Sequence, residues 1–292
     1  MSSKDSKYSY ISFPSNTARI LKDYNIGLKK NLGQNFLIDL NVLKKIVRNS
    51  SVKKDEIILE IGSGIGALTE VLLQYVEKIV CLEIDKKLIK VFSDIFKEEI
   101  GDRIIFIEKD AMKINYYEIA NKFNISKIVS NLPYKISAPL ILKIMIEAPR
   151  IKRMYLTVQK DIADRLLAKK GDKNYSSYTL KANLLADFKM LFSVSRNCFI
   201  PMPFVDSAFI EVSGNKKSET VNILNFFEFI DLCFLHRRKK LINSIIESGN
   251  KSYIDKMDLI IKMLHGIGKD ENVRAEELEL KEFLTIFNSI KS

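Results

Sequence analysis

Residues 56–76 read EIILEIGSGIGALTEVLLQYV. Ile57, Ile58, Leu59 and Ile61 form a short apolar run, Gly62, Gly64 and Gly66 follow it, and an amphipathic helix pattern follows the glycines. An apolar strand, a glycine turn and a helix predict the opening unit of a parallel α/β sheet. Such a turn brings backbone N–H groups and a helix N-terminus beside a ligand, and glycine is required where a Cβ would block the approach.

Working outward, the same alternation repeats. KIVCLEID (78–85) predicts a second strand ending in Glu83 and Asp85, and residues 85–99 predict a helix with Leu88, Phe92, Ile95 and Phe96 on one face. RIIFIEKD (103–110) and KIVSNLPY (127–134) predict the third and fourth strands, with Ser137 as N-cap of the next helix. RMYLTVQK (153–160) predicts a fifth strand running into helix 161–170. The pattern then changes. KMLFSVSR (189–196) and SAFIEVS (207–213), separated by the two-proline loop NCFIPMPFVD, predict an antiparallel hairpin closing one edge of the sheet. After SGNKKSET (213–220), which reads as a linker, the pattern is helical to the end. The expectation is a Rossmann-like α/β domain over residues 26–215, a small all-helical C-terminal domain over 216–292, and a flexible polar tail over 1–25.

The formal charge of +11 is unevenly spread. After position 215 there are 13 basic and 12 acidic residues, which leaves 34 basic and 24 acidic before it. That excess suits either a solvated lysine-rich surface or a polyanionic partner. No stretch approaches the ~20 apolar residues of a membrane span, and the N-terminus lacks the apolar run of a secretory signal. Cys81, Cys198 and Cys233 have neither ligand-like nor disulfide-like spacing, and His236 and His265 stand apart. These features predict no metal, no membrane and a reducing, cytoplasmic setting.

Gly62, Gly64 and Ala67 also satisfy the dinucleotide fingerprint G-x-G-x-x-A, and Glu83 can take ribose hydroxyls in either kind of site, so a nicotinamide oxidoreductase is a rival at this point. Two residues favour a methyl donor. Glu60 extends the turn to E-x-G-x-G-x-G, and Asp110 ends the third strand where an adenine amino group would meet it. Asn131-Leu132-Pro133-Tyr134 then ends the fourth strand. An adenine amino nitrogen is a poor nucleophile because its lone pair is delocalised into the ring. Two acceptors on its N–H groups draw it toward a tetrahedral, more nucleophilic form. The Asn131 side-chain oxygen and the Leu132 carbonyl can supply them, Pro133 holds Leu132 extended, and Tyr134 can stack on a flipped base. No general base is needed before transfer.

With these residues in place the chain closely resembles the small-subunit (16S/18S) rRNA adenine N6,N6-dimethyltransferases. The matching segments are KKNLGQNFLID (29–39), EIGSGIGALTE, CLEID, KDAM, NLPYKIS, TVQKDIADRL, NCFIPMPFVDSAFIEV, HRRKKLINS (236–244) and RAEELELKEF (274–283). The resemblance implies a class I methyltransferase sheet and S-adenosyl-L-methionine as cofactor. It implies donor-binding residues at Asn35, Leu37, Gly62, Gly64, Glu83, Asp110 and Asn131. It also implies a catalytic motif at Asn131, Leu132, Pro133 and Tyr134, with Phe199 stacking on the other face of the base. Ser63 departs from a common proline and Glu279 from a usual serine, which bears on donor affinity and domain packing.

Arg237, Arg238, Lys239 and Lys240, at the start of a predicted helix in a nearly neutral region, suggest an RNA phosphate contact. Lys152, Arg153, Lys169 and Lys170 extend the expected basic face. The implied activity is dimethylation of two adjacent adenines near the 3′ end of small-subunit rRNA, by a monomer acting on the immature small subunit. The alternatives are the same chemistry on large-subunit rRNA, as in macrolide resistance, or a binding-only relative that serves as a transcription or assembly factor.

Overall fold

The computed structural model describes residues 10–27 and 34–290, so the Lys29–Gly33 part of the first matching segment lies outside the described residues. Among the described residues the chain forms two compact units. The first runs up to Ala163 and includes Phe188–Gly214; the second comprises Asp164–Asp187 and the chain from Asn215 onward.

The first unit carries the site. Helix α1 (Pro14–Asp23) and the two-residue strand β1 (Phe36–Leu37) precede α2 (Leu40–Asn49), which Asp39 caps by accepting from the N–H groups of Asn41 and Val42. The alternation read from the sequence follows: β2 (Ile57–Ile61), α3 (Ala67–Leu72), β3 (Lys78–Glu83), α4 (Lys86–Ile95), β4 (Ile104–Glu108), α5 (Tyr116–Lys122), β5 (Lys127–Asn131), α6 (Ser137–Glu147) and β6 (Arg153–Gln159). Next come α7 (Lys160–Leu167), α8 (Ser177–Leu185), β7 (Ala186–Val194), β8 (Phe199–Ile200) and β9 (Ser207–Gly214). The seven-stranded sheet has the order β4-β3-β2-β5-β6-β9-β7, parallel from β4 to β6, with β9 antiparallel to β6. The central strands are apolar and buried on both faces, as a helix-covered parallel sheet requires: Ile58, Leu59, Ile79, Val80, Ile128 and Leu156 are inaccessible. Chain order reverses between β2 and β5, and open α/β sheets bind ligands beyond the strand ends at that reversal.

Residues 10–25 are not a tail. Pro14 opens α1 at its first turn, and Ile11, Thr17, Ile20 and Leu21 are buried. The Ile11 N–H donates to Glu70 Oε2 at 2.9 Å, which ties the segment to α3. One helix of ten residues with three buried positions gives too little periodicity to stand out from polar neighbours. Ser137 is also not an N-cap: it is the first residue of α6, and its hydroxyl donates to the Tyr134 carbonyl at 3.1 Å.

The second unit is helical: α9 (Ile223–Cys233), α10 (Leu241–Glu247), α11 (Lys251–Ile254), α12 (Met257–Gly266) and α13 (Leu280–Ile290). Asp164–Asp187 joins it because Tyr175, Leu180 and Leu184 share an apolar core with Phe226, Phe229 and Phe283, and the Tyr175 hydroxyl donates to the Leu278 carbonyl at 2.8 Å. A helix lying between two strands in the chain carries no mark of this allegiance. Among the described residues no helix is long and apolar enough to cross a membrane, and no group of His, Cys, Asp or Glu could hold a metal ion.

Candidate active site

A cavity of about 320 Å³ opens beyond β2, β3 and β5, and is lined by Asn35, Leu37, Gly62, Gly64, Glu83, Asp110 and Asn131, among others. The glycine turn forms one wall. Gly62 and Gly64 have φ values of 72° and 58°, in the left-handed region. A Cβ on Gly62 would lie 3.0 Å from the Pro133 ring, and one on Gly64 would lie 3.0 Å from the Phe36 ring. The turn is therefore packed against both the Asn131–Tyr134 motif and the strand that precedes α2.

Glu83 is buried at the end of β3. One carboxylate oxygen accepts from Gly64 N–H at 3.0 Å, and the other accepts from the N–H groups of Ile84 and Asp85 at 2.8 and 2.9 Å. Burial raises its pKa, and the three N–H donors work against that rise. A carboxylate has about four lone-pair sites, so the three N–H donors leave room for about one more. Glu60 is more deeply buried, and burial pushes its pKa up to about 8 despite a 2.6 Å bond from Thr69 Oγ1. Asp110 uses Oδ1 to accept from Met112 N–H at 2.8 Å and borders the cavity.

On the opposite side, Asn131 Nδ2 donates to the Asn35 carbonyl at 3.0 Å. That bond fixes the amide plane and leaves Asn131 Oδ1 buried with no hydrogen-bond partner among the described residues. A buried acceptor left unpaired costs about 1–3 kcal/mol, so a donor that reaches this oxygen is favoured by that amount. Leu132 is 1% exposed, and its N–H donates to the Thr157 carbonyl at 3.2 Å, which anchors the motif to β6. Pro133 has φ −60° and ψ 118°, an extended conformation natural to proline.

Tyr134 is also buried, and its hydroxyl pairs with Ser207 Oγ at 2.5 Å. Burial pushes the phenol up to about 12, so it stays neutral. Phe199 is 2% exposed, with its ring 6.1 Å from that of Tyr134 and 68° out of parallel. The two rings thus meet edge to face, and a base held between them requires them to separate. Strand β8 holds Phe199 here by pairing with β1, with Phe36 opposite Ile200 and Leu37 opposite Phe199.

Sequence reading missed two contributors. Ser207 carries no signal of its own, being a serine at the start of a strand. The Asn35 carbonyl, which orients Asn131, is a backbone group that any residue type would provide.

The C-terminal cation run is only partly available. Residues 234–239 are turns, and the helix expected at His236 starts at Leu241, because the run is pinned to distant backbone and acids. Arg237 donates to Glu276 at 2.6 Å and to the carbonyls of Lys173 and Asp172. Lys239 pairs with Glu247 at 2.6 Å. Arg238 and Lys240 expose side chains that pair with no described residue. Of the additional cations, Arg153 pairs with Glu211 and Lys170 with Glu279, the residue that departs from serine.

The family model for ribosomal RNA adenine dimethylase matches residues 26–292. The chain is 35% identical over 288 residues to the ribosomal RNA small subunit methyltransferase A of Geobacillus thermodenitrificans (strain NG80-2), covering 96% of this chain and 97% of that one. The protein of the same name from Bacillus thuringiensis (strain Al Hakam) is 34% identical over 286 residues with the same coverage. A solved dimethyladenosine transferase from Plasmodium falciparum superposes with a TM-score of 0.72 at 27% identity, covering 87% of this chain and 97% of that chain. The 23S rRNA methyltransferase ErmE shares the fold, with a TM-score of 0.63 at 21% identity over 88% of this chain and 100% of that one. This chain belongs to the ribosomal RNA adenine dimethylase family.

Proposed function

We propose that this chain transfers methyl groups from S-adenosyl-L-methionine to N6 of two adjacent adenines in the 3′-terminal hairpin of small-subunit rRNA. It acts as a monomer, in the cytoplasm, on the immature small subunit. The observation that carries this reading is Asn131 Oδ1, buried, without a partner among the described residues and held in orientation by the Asn35 carbonyl.

The cavity residues fit the donor. Glu83 offers a buried carboxylate for ribose hydroxyls, Asp110 an acceptor for an adenine amino group, and Leu37, Ile84, Leu88 and Met112 apolar wall for a ring. When bound, the donor supplies an electrophilic methyl group on a sulfonium. Asn131 Oδ1 and the Leu132 carbonyl accept the two N–H groups of the target adenine and favour a tetrahedral nitrogen whose lone pair can attack. Tyr134 and Phe199 hold the flipped ring by stacking. Neutral Tyr134 removes no proton; the nitrogen loses its proton to solvent once the new bond has made it acidic. After one methylation only one N–H remains, so the second transfer relies on a single acceptor and the ring clamp.

The reading is tested by incubating purified protein and labelled donor with small and large ribosomal subunits that lack the modification. Label is expected in the 3′-terminal hairpin of the small-subunit RNA. Label confined to large-subunit RNA would overturn it in favour of the resistance-type activity.

A further inference from the structure

The loop between β8 and β9 presents apolar side chains to solvent beside a site built to hold a base. Phe204 is 94% exposed, Met202 58% and Val205 40%. Both ends of this loop rest on the base-holding motif. At one end Phe199 touches Tyr134 edge to face, and at the other Ser207 Oγ is 2.5 Å from the Tyr134 hydroxyl. Phe204 is three residues from Ser207, so their Cα atoms are at most about 11 Å apart. The loop is braced as well. Asp206 accepts from Arg196 N–H at 2.9 Å through its carboxylate and from Lys160 N–H at 3.0 Å through its carbonyl, and Pro203 is buried. Arg196 Nη1 donates to the Phe204 carbonyl at 3.4 Å, which ties an exposed guanidinium to the backbone of the residue that carries the exposed ring.

An exposed aromatic ring and an exposed cation bonded to the same residue's backbone match the two parts of a nucleotide, a base to stack on and a phosphate to neutralise. Flipping an adenine also leaves its neighbour without a stacking partner. We propose that Phe204 stacks on the base flanking the target adenine while Arg196 contacts an adjacent phosphate, so that this loop positions the RNA strand for transfer. The proposal rests on the rRNA-methylating reading given above.

The test uses full-length protein, small-subunit particles lacking the modification, and a naked RNA fragment of the 3′-terminal hairpin. Phe204→Ala should raise KM and weaken fragment binding by about 5–150-fold, the range of one stacking contact. It should leave kcat within a few-fold and donor affinity by calorimetry unchanged. Phe204→Trp should restore near wild-type KM. Arg196→Ala should lower the slope of log affinity against log salt by about 0.7–0.9, whereas Phe204→Ala should leave that slope alone.

Wild-type KM and fragment affinity in Phe204→Ala would overturn the proposal. So would a loss seen with particles and absent with naked fragment, which would assign the loop to a ribosomal protein. If wild-type protein methylates neither substrate, the underlying reading falls and takes this one with it. Wild-type transfer beside an unaffected Phe204→Ala removes this proposal alone.

Discussion

The two halves of the site, the cavity of the glycine turn and the adjoining Asn131–Tyr134 motif with Phe199, differ in how complete they are. On the donor half the two carboxylates are already held: three backbone N–H groups bind Glu83 and Met112 N–H binds Asp110, while Ser63 Oγ of the glycine turn is buried and has no partner among the described residues. On the base half Asn131 Oδ1 is buried with no partner among the described residues, and the Tyr134 and Phe199 rings close on each other edge to face. The carboxylates of one half are organised by the backbone around them, whereas the amide acceptor of the other has no described partner. Binding on the donor half should therefore be separable by mutation from chemistry on the base half.

The sharpest way to break this contrast is Asn131→Ala. Removing the acceptor should lower turnover by about 10²–10³, the cost of a lost oxyanion-hole partner, and lower donor affinity, to which Asn131 contributes from the cavity wall, by much less. An equal loss in donor binding, measured by calorimetry, would merge the two halves. Glu83→Ala should do the converse. With charge-assisted hydrogen bonds contributing roughly 1.5–3 kcal/mol each, donor affinity should fall at least tenfold. Thermal stability should fall with it, because Gly64, Ile84 and Asp85 lose their acceptor. Unchanged affinity in a folded variant would remove Glu83 from the donor site.

A smaller effect tests how the base half is held. Tyr134→Phe and Ser207→Ala each delete the same bond, so each should lower kcat/KM by about 2–12-fold, the equivalent of 0.5–1.5 kcal/mol. The double variant should be no worse than the poorer single one. Additive losses would mean that the two residues act independently.

How much of this was legible in the sequence follows the same division. The glycine turn, Glu83, Asp110 and the Asn131–Tyr134 motif could be read because each sits at the end of an apolar strand, where chain position alone places it at the cavity. The parallel pairing from β4 to β6 is expected from the same alternation, whereas the order of those strands is not read from it. Residues placed by long-range packing could not be read that way. Ser207 reaches Tyr134 across 73 positions of sequence, and Asn35 reaches Asn131 across 96. Helix α1 was hidden by its polar face, and α8 by its position between strands. A run of four cations looks alike on paper, yet Arg237 and Lys239 are held by Glu276 and Glu247 while Arg238 and Lys240 face solvent.

A separate effect, on stability and not on activity, concerns Glu60, whose carboxyl holds its proton up to about pH 8 in the folded chain, against about 4.5 for an ordinary glutamate side chain. The folded state binds this proton more tightly than the unfolded state does. The associated stability is therefore complete at acidic pH and is lost as pH rises from about 4.5 through about 8. Glu60→Gln is neutral throughout, so its melting temperature should decline less than that of the wild type between about pH 5 and 9. Parallel curves would show that Glu60 is ionised in the folded protein.

The most direct test of amino-group chemistry is mass spectrometry of nucleosides from small-subunit rRNA, methylated by the purified wild-type protein. Acceptors placed at Asn131 Oδ1 and the Leu132 carbonyl predict N6,N6-dimethyladenosine at two adjacent positions, with N6-monomethyladenosine as the transient. Methyl groups on a ring nitrogen, a ring carbon or a ribose hydroxyl instead would contradict it.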